Sequence, residues 1–186
     1  PTDAAAEGEA ISITVDDQAA APFSSLEMDL NGDGIIDANS EVFSIAVGGD
    51  ASASDADALV VGGSGDDSLI GSDNNDLLIG GAGSDSMDGG IGNDTIQAGA
   101  GNDAIDGGEG TDTLSLSALG QGANVDLAAG TASVGSDSDT VTNIENVTGS
   151  GFVDQITGDA ASNIIDGGGA GDTIDAGDGD DLLIGG

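Results

Sequence analysis

From Gly62 onward the chain falls into units of nine residues, and that register constrains its fold more than any other feature. Six units run without a break: GGSGDDSLI (62–70), GSDNNDLLI (71–79), GGAGSDSMD (80–88), GGIGNDTIQ (89–97), AGAGNDAID (98–106) and GGEGTDTLS (107–115). The period stops for residues 116–148. It resumes with GSGFVDQIT (149–157), GDAASNIID (158–166), GGGAGDTID (167–175) and AGDGDDLLI (176–184). Every unit has a large aliphatic residue at its eighth position: Leu69, Leu78, Met87, Ile96, Ile105, Leu114, Ile156, Ile165, Ile174 and Leu183. The sixth position is Asp throughout, except Asn163. The first half of each unit is turn chemistry, because glycine admits positive φ and close backbone approach. The last three residues suit a very short strand with one side chain pointing inward. A flexible acidic linker has no reason to place an aliphatic residue at every ninth position.

The charge sets a second constraint. The chain carries 36 Asp and Glu and no Lys, Arg or His, a formal charge of −36. No side-chain salt bridge can form, and so acidic a sequence with three aromatics would ordinarily remain disordered. Nothing can neutralise phosphates, which excludes nucleic-acid binding. Anionic membrane surfaces repel the chain, and no apolar run approaches the roughly 20 residues of a membrane span. With His and Cys absent, soft-metal and thiol chemistry disappear and only oxygen ligands remain. Hard divalent cations that prefer oxygen are the natural source of the missing positive charge.

The units follow the template G-G-x-G-x-D-x-U-x, with U aliphatic, and resemble the RTX nonapeptide repeats of secreted bacterial proteins. The resemblance covers about half of the chain. It implies an all-β fold, a right-handed parallel β-roll (a β-solenoid) in which each unit makes a turn plus a strand and two units complete a coil. It implies calcium ions between the stacked turns, and an aliphatic column filling a thin core. It also implies the ligands. These are the position-six carboxylates of Asp67, Asp76, Asp85, Asp94, Asp103, Asp112, Asp154, Asp172 and Asp181. Backbone carbonyls join them, from Gly63, Gly65, Gly81, Gly83, Gly90, Gly92, Gly99, Gly101, Gly108, Gly110, Gly168, Gly177 and Gly179.

The residues support the same mechanism. Turns stacked about 4.8 Å apart place their carboxylates in columns, and such columns repel unless a cation lies between neighbours. Successive units lie on opposite flanks. One column then joins Asp67, Asp85 and Asp103, and the other Asp76, Asp94 and Asp112; after the gap Asp154 pairs with Asp172 and Asn163 with Asp181. Ser72 and Asn74 replace glycines, and residues 158–161 keep one glycine, so weak binding or none is expected at those turns.

Four zones follow: residues 1–61, a first repeat block at 62–115, an irregular segment at 116–148 and a second block at 149–186. The irregular segment alternates with period two at Leu114–Ser117, Asn124–Leu127 and Thr140–Val147, which predicts two or three longer rungs continuing the roll without calcium turns. RTX chains often carry a similar stretch, here Val125–Ala132 and Ile144–Ser150. In the first zone Ile11–Val15 alternates as a strand. Asp29-Leu-Asn31-Gly-Asp33-Gly-Ile35-Ile-Asp37 matches the first nine positions of an EF-hand-type loop, with oxygen ligands from Asp29, Asn31, Asp33, the Ile35 carbonyl and Asp37. Position twelve is Ser40 instead of the bidentate Glu, so the match is to a calcium loop and not to a full helix–loop–helix. Glu41–Val47 and Ala58–Val61 read as strands leading into the first rung and covering the end of the roll.

Without metal, the charge and the thin core cannot offset chain entropy; with it, binding free energy becomes folding free energy. Extracellular modules bind calcium at about 10⁻⁴–10⁻³ M, so the chain is expected to stay unfolded in the cytosol and to fold after export. The resemblance implies bacterial type I secretion. The chain starts at Pro1 without a Met or an apolar leader and stops within the repeats, which reads as a processed product or a piece of something longer. Catalysis is not expected: only carboxylates and hydroxyls are present, most acids are committed to calcium, and Phe23, Phe43 and Phe152 make a poor platform for a sugar substrate. Ice binding is not expected either, because turn position three carries no row of Thr. Two readings remain. One is an extracellular calcium-binding structural protein that associates head-to-tail with its own copies as a filament, matrix or surface layer. Its motive is a final rung, Asp181–Gly186, that lacks a polar cap, together with Leu77, Ile79, Leu182 and Ile184, expected to point outward. The other is the calcium-folding module of a larger secreted toxin, exoenzyme or adhesin.

Overall fold

The computed structural model describes residues 44–47, 51–52 and 57–186. Its described residues form short strands and turns and no helix. In chain order the strands begin with β1 (Ser44–Val47), β2 (Ala51–Ser52), β3 (Ala58–Ser64), β4 (Ser68–Ile70), β5 (Leu77–Ala82) and β6 (Ser86–Asp88). β7 (Ile91–Gly92), β8 (Thr95–Ala100), β9 (Ala104–Asp106), β10 (Glu109–Gly110), β11 (Thr113–Ser115) and β12 (Ala123–Asp126) follow. The last seven are β13 (Thr131–Val134), β14 (Asp137–Thr142), β15 (Asn146–Thr148), β16 (Gln155–Thr157), β17 (Ile164–Asp166), β18 (Thr173–Asp175) and β19 (Leu182–Ile184).

The nine-residue register produces two sheets because alternate units return to the same flank. One sheet runs β1-β3-β5-β8-β11-β15-β17-β19 and the other β2-β4-β6-β9-β14-β13-β12-β16-β18. A small ladder of β7 with β10 joins two turns. Within each repeat block the pairing is parallel and shifted by eighteen residues: Leu78 lies beside Ile96, and Leu69 beside Met87. This is the stacked parallel coil of a β-solenoid, as the repeats predict.

The x-U-x end of each unit faces one residue inward. Leu78, Ile96, Leu114 and Ile165 come from one sheet, and Leu69, Met87, Ile105 and Ile156 from the other, all buried. The core is therefore one side chain deep from each side, and each such burial contributes about 1.5–3 kcal/mol. Ile174 packs against this core only in part. Leu183, on the last rung, is exposed.

The roll begins before Gly62. β1 pairs with β3 in parallel, and fully buried Val60 stacks beside Leu78. Leu182 and Ile184 face outward as expected, but Leu77 and Ile79 are only half-exposed. The ladder sets Leu59 beside Leu77 and Val61 beside Ile79, so neighbouring aliphatics shield them.

Residues 116–148 do not simply add parallel rungs. On one sheet β11 pairs directly with β15. On the other the chain crosses to β12, which lies beside β16, then turns back antiparallel through β13 and β14 until β14 reaches β9. Gly130 and Gly135, both at positive φ, form the two reversals. A tight turn joins antiparallel neighbours and not parallel ones, so the connections available here give a meander instead of a coil. Val125, Ala132, Val134 and Val141 still face the core.

Candidate metal centre

The turns bring the position-six side chains into two flanking columns. In each step the backbone N–H of one position-six residue donates to Oδ1 of the residue one coil further on. Asp67 donates to Asp85, and Asp85 to Asp103 (both 2.9 Å). On the other flank Ala58 donates to Asp76, Asp76 to Asp94 (both 2.7 Å) and Asp94 to Asp112 (2.8 Å). In the second block Asp154 donates to Asp172 (3.0 Å) and Asn163 to Asp181 (2.9 Å).

Two members of the columns lie outside the ten repeat units. Asp103 N–H donates to Asp139 Oδ1 (2.9 Å), and Asp112 N–H to Glu145 Oε2 (2.8 Å). The signal was present in weak form: residues 134–142 keep Gly135 at position two, Asp139 at six and Val141 at eight, and Glu145 stands two residues before Val147. At the start of the roll Ala58 holds the sixth position of a further degenerate unit, where the side chain carries no oxygen.

These carboxylates are buried. Asp76, Asp85, Asp94, Asp103, Asp112 and Asp154 are each at most 3% exposed. Burial pushes Asp94 up to about 7, against the lowering effect of the Asp76 N–H, and Asp112 and Asp76 add repulsion. Asp139 rises to about 6 for the same primary reason, with Asp103 and Asp137 as its charged neighbours. Asp76, Asp103 and Asp112 also lie above the usual carboxylate range, again chiefly through desolvation.

All thirteen glycines expected to offer carbonyls adopt positive φ. Gly81, at φ 106°, shows why the position is closed to other residues: an added Cβ would overlap the Gly63 carbonyl oxygen of the coil below. The first glycine of a unit keeps a second space open. A Cβ at Gly62 would sit 2.5 Å from the Gly80 carbonyl oxygen and 2.6 Å from Asp67 Oδ2. A carboxylate oxygen and the next coil's carbonyl thus converge on the same space. The Oδ2 atoms of Asp85, Asp94, Asp103, Asp112 and Asp172 are buried without a hydrogen-bond partner. Stranded acceptors of this kind cost about 1–3 kcal/mol each, more when charged. A hard cation would satisfy them, and the all-oxygen donor set of carboxylate plus carbonyl suits calcium. No group of three or more acidic side chains gathers at one point among the described residues, so an ion here would draw much of its coordination from backbone carbonyls.

The Asp29–Asp37 loop lies outside the described residues. Among the described residues no helix is long and apolar enough to cross a membrane.

A family model for the RTX calcium-binding nonapeptide repeat matches four times, over residues 53–87, 61–96, 79–114 and 148–183. The first match starts nine residues before Gly62, in agreement with the early start of the roll. No curated protein sequence matches the chain. The repeat is a calcium-binding structural motif, and its matches take in just over half of these residues. With the parallel coil and the glycine-shaped turns, they establish that the chain belongs to the RTX calcium-binding repeat family.

Proposed function

We propose that this chain is an extracellular structural β-roll that folds when calcium enters its turns after export, and that it self-associates. The calcium reading is carried by one observation: buried position-six oxygens, as in Asp85, Asp94, Asp103 and Asp112, that no donor satisfies. A chain with no Lys, Arg or His has no cation of its own to place there. The ion then supplies both the missing charge and the missing partner, and its binding free energy becomes folding free energy. Affinities of about 10⁻⁴–10⁻³ M, as in extracellular modules, leave the repeat turns unfolded at cytosolic calcium and folded outside. Membership of the RTX family supports that location and type I export.

Leu182, Leu183 and Ile184 are 54%, 48% and 43% exposed, and a further rung would bury them. That rung can come from another copy, giving an open filament, or from the same polypeptide, which is the second reading: a calcium-folding module of a larger secreted protein. Calcium titration followed by circular dichroism and light scattering tests both. A large gain of β structure at millimolar calcium, and not at equal magnesium, is expected. Growth of scattering with protein concentration is expected for the filament, and a folded monomer at every concentration overturns it in favour of the module. A chain that stays disordered in millimolar calcium overturns both readings.

A further inference from the structure

Position two of each turn decides whether the sixth side chain is satisfied from within the chain. At Ser72 the backbone N–H and the hydroxyl both donate to Asp76 Oδ2, at 2.6 and 3.0 Å. Ser150 does the same to Asp154 Oδ2, at 2.7 and 3.0 Å. Asp159 N–H donates to Asn163 Oδ1 at 2.9 Å, and the Asn163 amide donates in turn to the Glu145 carbonyl (2.8 Å) and to Asp159 Oδ1 (3.2 Å). The amide hydrogens of Asn163 supply, from inside the chain, the positive end that other turns lack.

The glycine turns behave differently. Gly81, Gly90, Gly99, Gly108 and Gly168 hold position two at positive φ. Their sixth residues are Asp85, Asp94, Asp103, Asp112 and Asp172, whose Oδ2 atoms are buried and have no partner. The cause is local. The left-handed glycine turns its N–H away: Gly108 donates to Asp106 Oδ1 (3.2 Å) and Gly168 to Asp166 Oδ1 (2.9 Å), on the preceding strand, not to the side chain four residues ahead. Serine or aspartate at ordinary φ keeps the N–H over that side chain.

We infer that only the glycine turns take a cation, and that residues 116–166 form a metal-independent centre of the roll. No buried side-chain oxygen between residues 113 and 171 lacks a partner. The centre holds the β12–β13–β14 meander, whose ladders are complete without an ion, and the two self-satisfied turns at 149–154 and 158–163. It is also less charged: 7 of its 51 residues are acidic, against 11 of the 51 in 62–112. Asp139 and Glu145 stand at its border and accept from Asp103 and Asp112, so the first block docks onto the centre through its own last coil. Calcium demand lies outside the centre, on both sides.

The inference rests on the calcium reading above, and two measurements on the full chain separate them. Hydrogen–deuterium exchange in chelator is expected to show peptides from 116–166 exchanging at least tenfold more slowly than those from 62–112, with added calcium protecting the latter. Equal exchange across both overturns the inference. Native mass spectrometry counts ions per chain. Asp94→Asn is expected to lose at least one calcium and Asp154→Asn none, since Asn163 shows that a self-satisfied turn accepts an amide. Equal loss in the two variants, or none in either, overturns the inference while leaving calcium binding intact. A parent chain that holds no calcium removes the calcium reading itself.

Discussion

Ile96→Ala tests the coupling between the aliphatic core and the ions. Ile96 is fully buried, with Leu78 and Leu114 as its ladder neighbours. A core one residue deep has little material to collapse into the space, so the substitution costs about 2–5 kcal/mol. Because folding and binding are linked, that cost is recovered by raising free calcium. The first block holds four stranded carboxylate oxygens, on Asp85, Asp94, Asp103 and Asp112. If each recruits one ion, the midpoint of the calcium titration rises by about exp(ΔΔG/4RT), roughly two- to eightfold. Ile70→Ala is the control. Ile70 is 46% exposed at the ninth position of its unit, and its loss of about 1 kcal/mol or less moves the midpoint by no more than about 1.5-fold. The assay is circular dichroism against buffered free calcium. An Ile96→Ala midpoint within error of the Ile70→Ala midpoint refutes the argument, because the core would then be uncoupled from the ions.

Two further outcomes follow from the same geometry. Gly81→Ala combines a strained φ of 106° with overlap onto the Gly63 carbonyl, and urea unfolding at saturating calcium is expected to show a loss of more than about 1 kcal/mol. Gly120→Ala, with nothing within 4 Å of its added Cβ, is expected to be near neutral, and equal effects would refute the steric reading. The raised pKa values of Asp94 (about 7) and Asp139 (about 6) fix the sign of the pH dependence. The metal-free folded chain holds protons that the unfolded chain has released, so its stability is greatest at low pH and falls as pH rises from about 4 to about 7. In chelator, β structure by circular dichroism is expected to be greater at pH 4.5 than at pH 8. Calcium added at pH 6 in weak buffer is expected to expel these protons and acidify the solution. Neither change occurring would refute the burial of charge.

The repeats were legible because each part of the unit has a separate physical task. Leu69, Leu78, Ile96 and Leu114 announced the core by spacing alone, and the pairing of Asp67 with Asp85 followed from the eighteen-residue coil. Where the period failed, local alternation could say that strands exist but not in which direction they pair. The choice of an antiparallel meander depends on Gly130 and Gly135, two reversals that resemble any other surface turn in the sequence. Asp139 stands three nines beyond Asp112, but the two intervening sixth positions are Gln121 and Gly130, which hide the count, and Glu145 falls outside it altogether. The departures from the template at Ser72 and Asp159 were visible, but not their consequence. Only the direction of the N–H at position two shows that these turns satisfy their own sixth residue.

The meander also sets the line of the molecule. Between β9 and β16 one sheet holds three strands, β14, β13 and β12, while across the core β15 alone separates β11 from β17. One flank is therefore longer by two strand spacings, about 10 Å, which is comparable to the distance between packed sheets. Coils that are equally thick on both sides stack along a straight axis; a wedge of this size cannot. The extra two strands have to be taken up where the repeat blocks join, and the ladders of β12, β13 and β14 tie that junction together without a free hinge. Any assembly built from copies of this chain would carry the same inequality between its two flanks once in every copy.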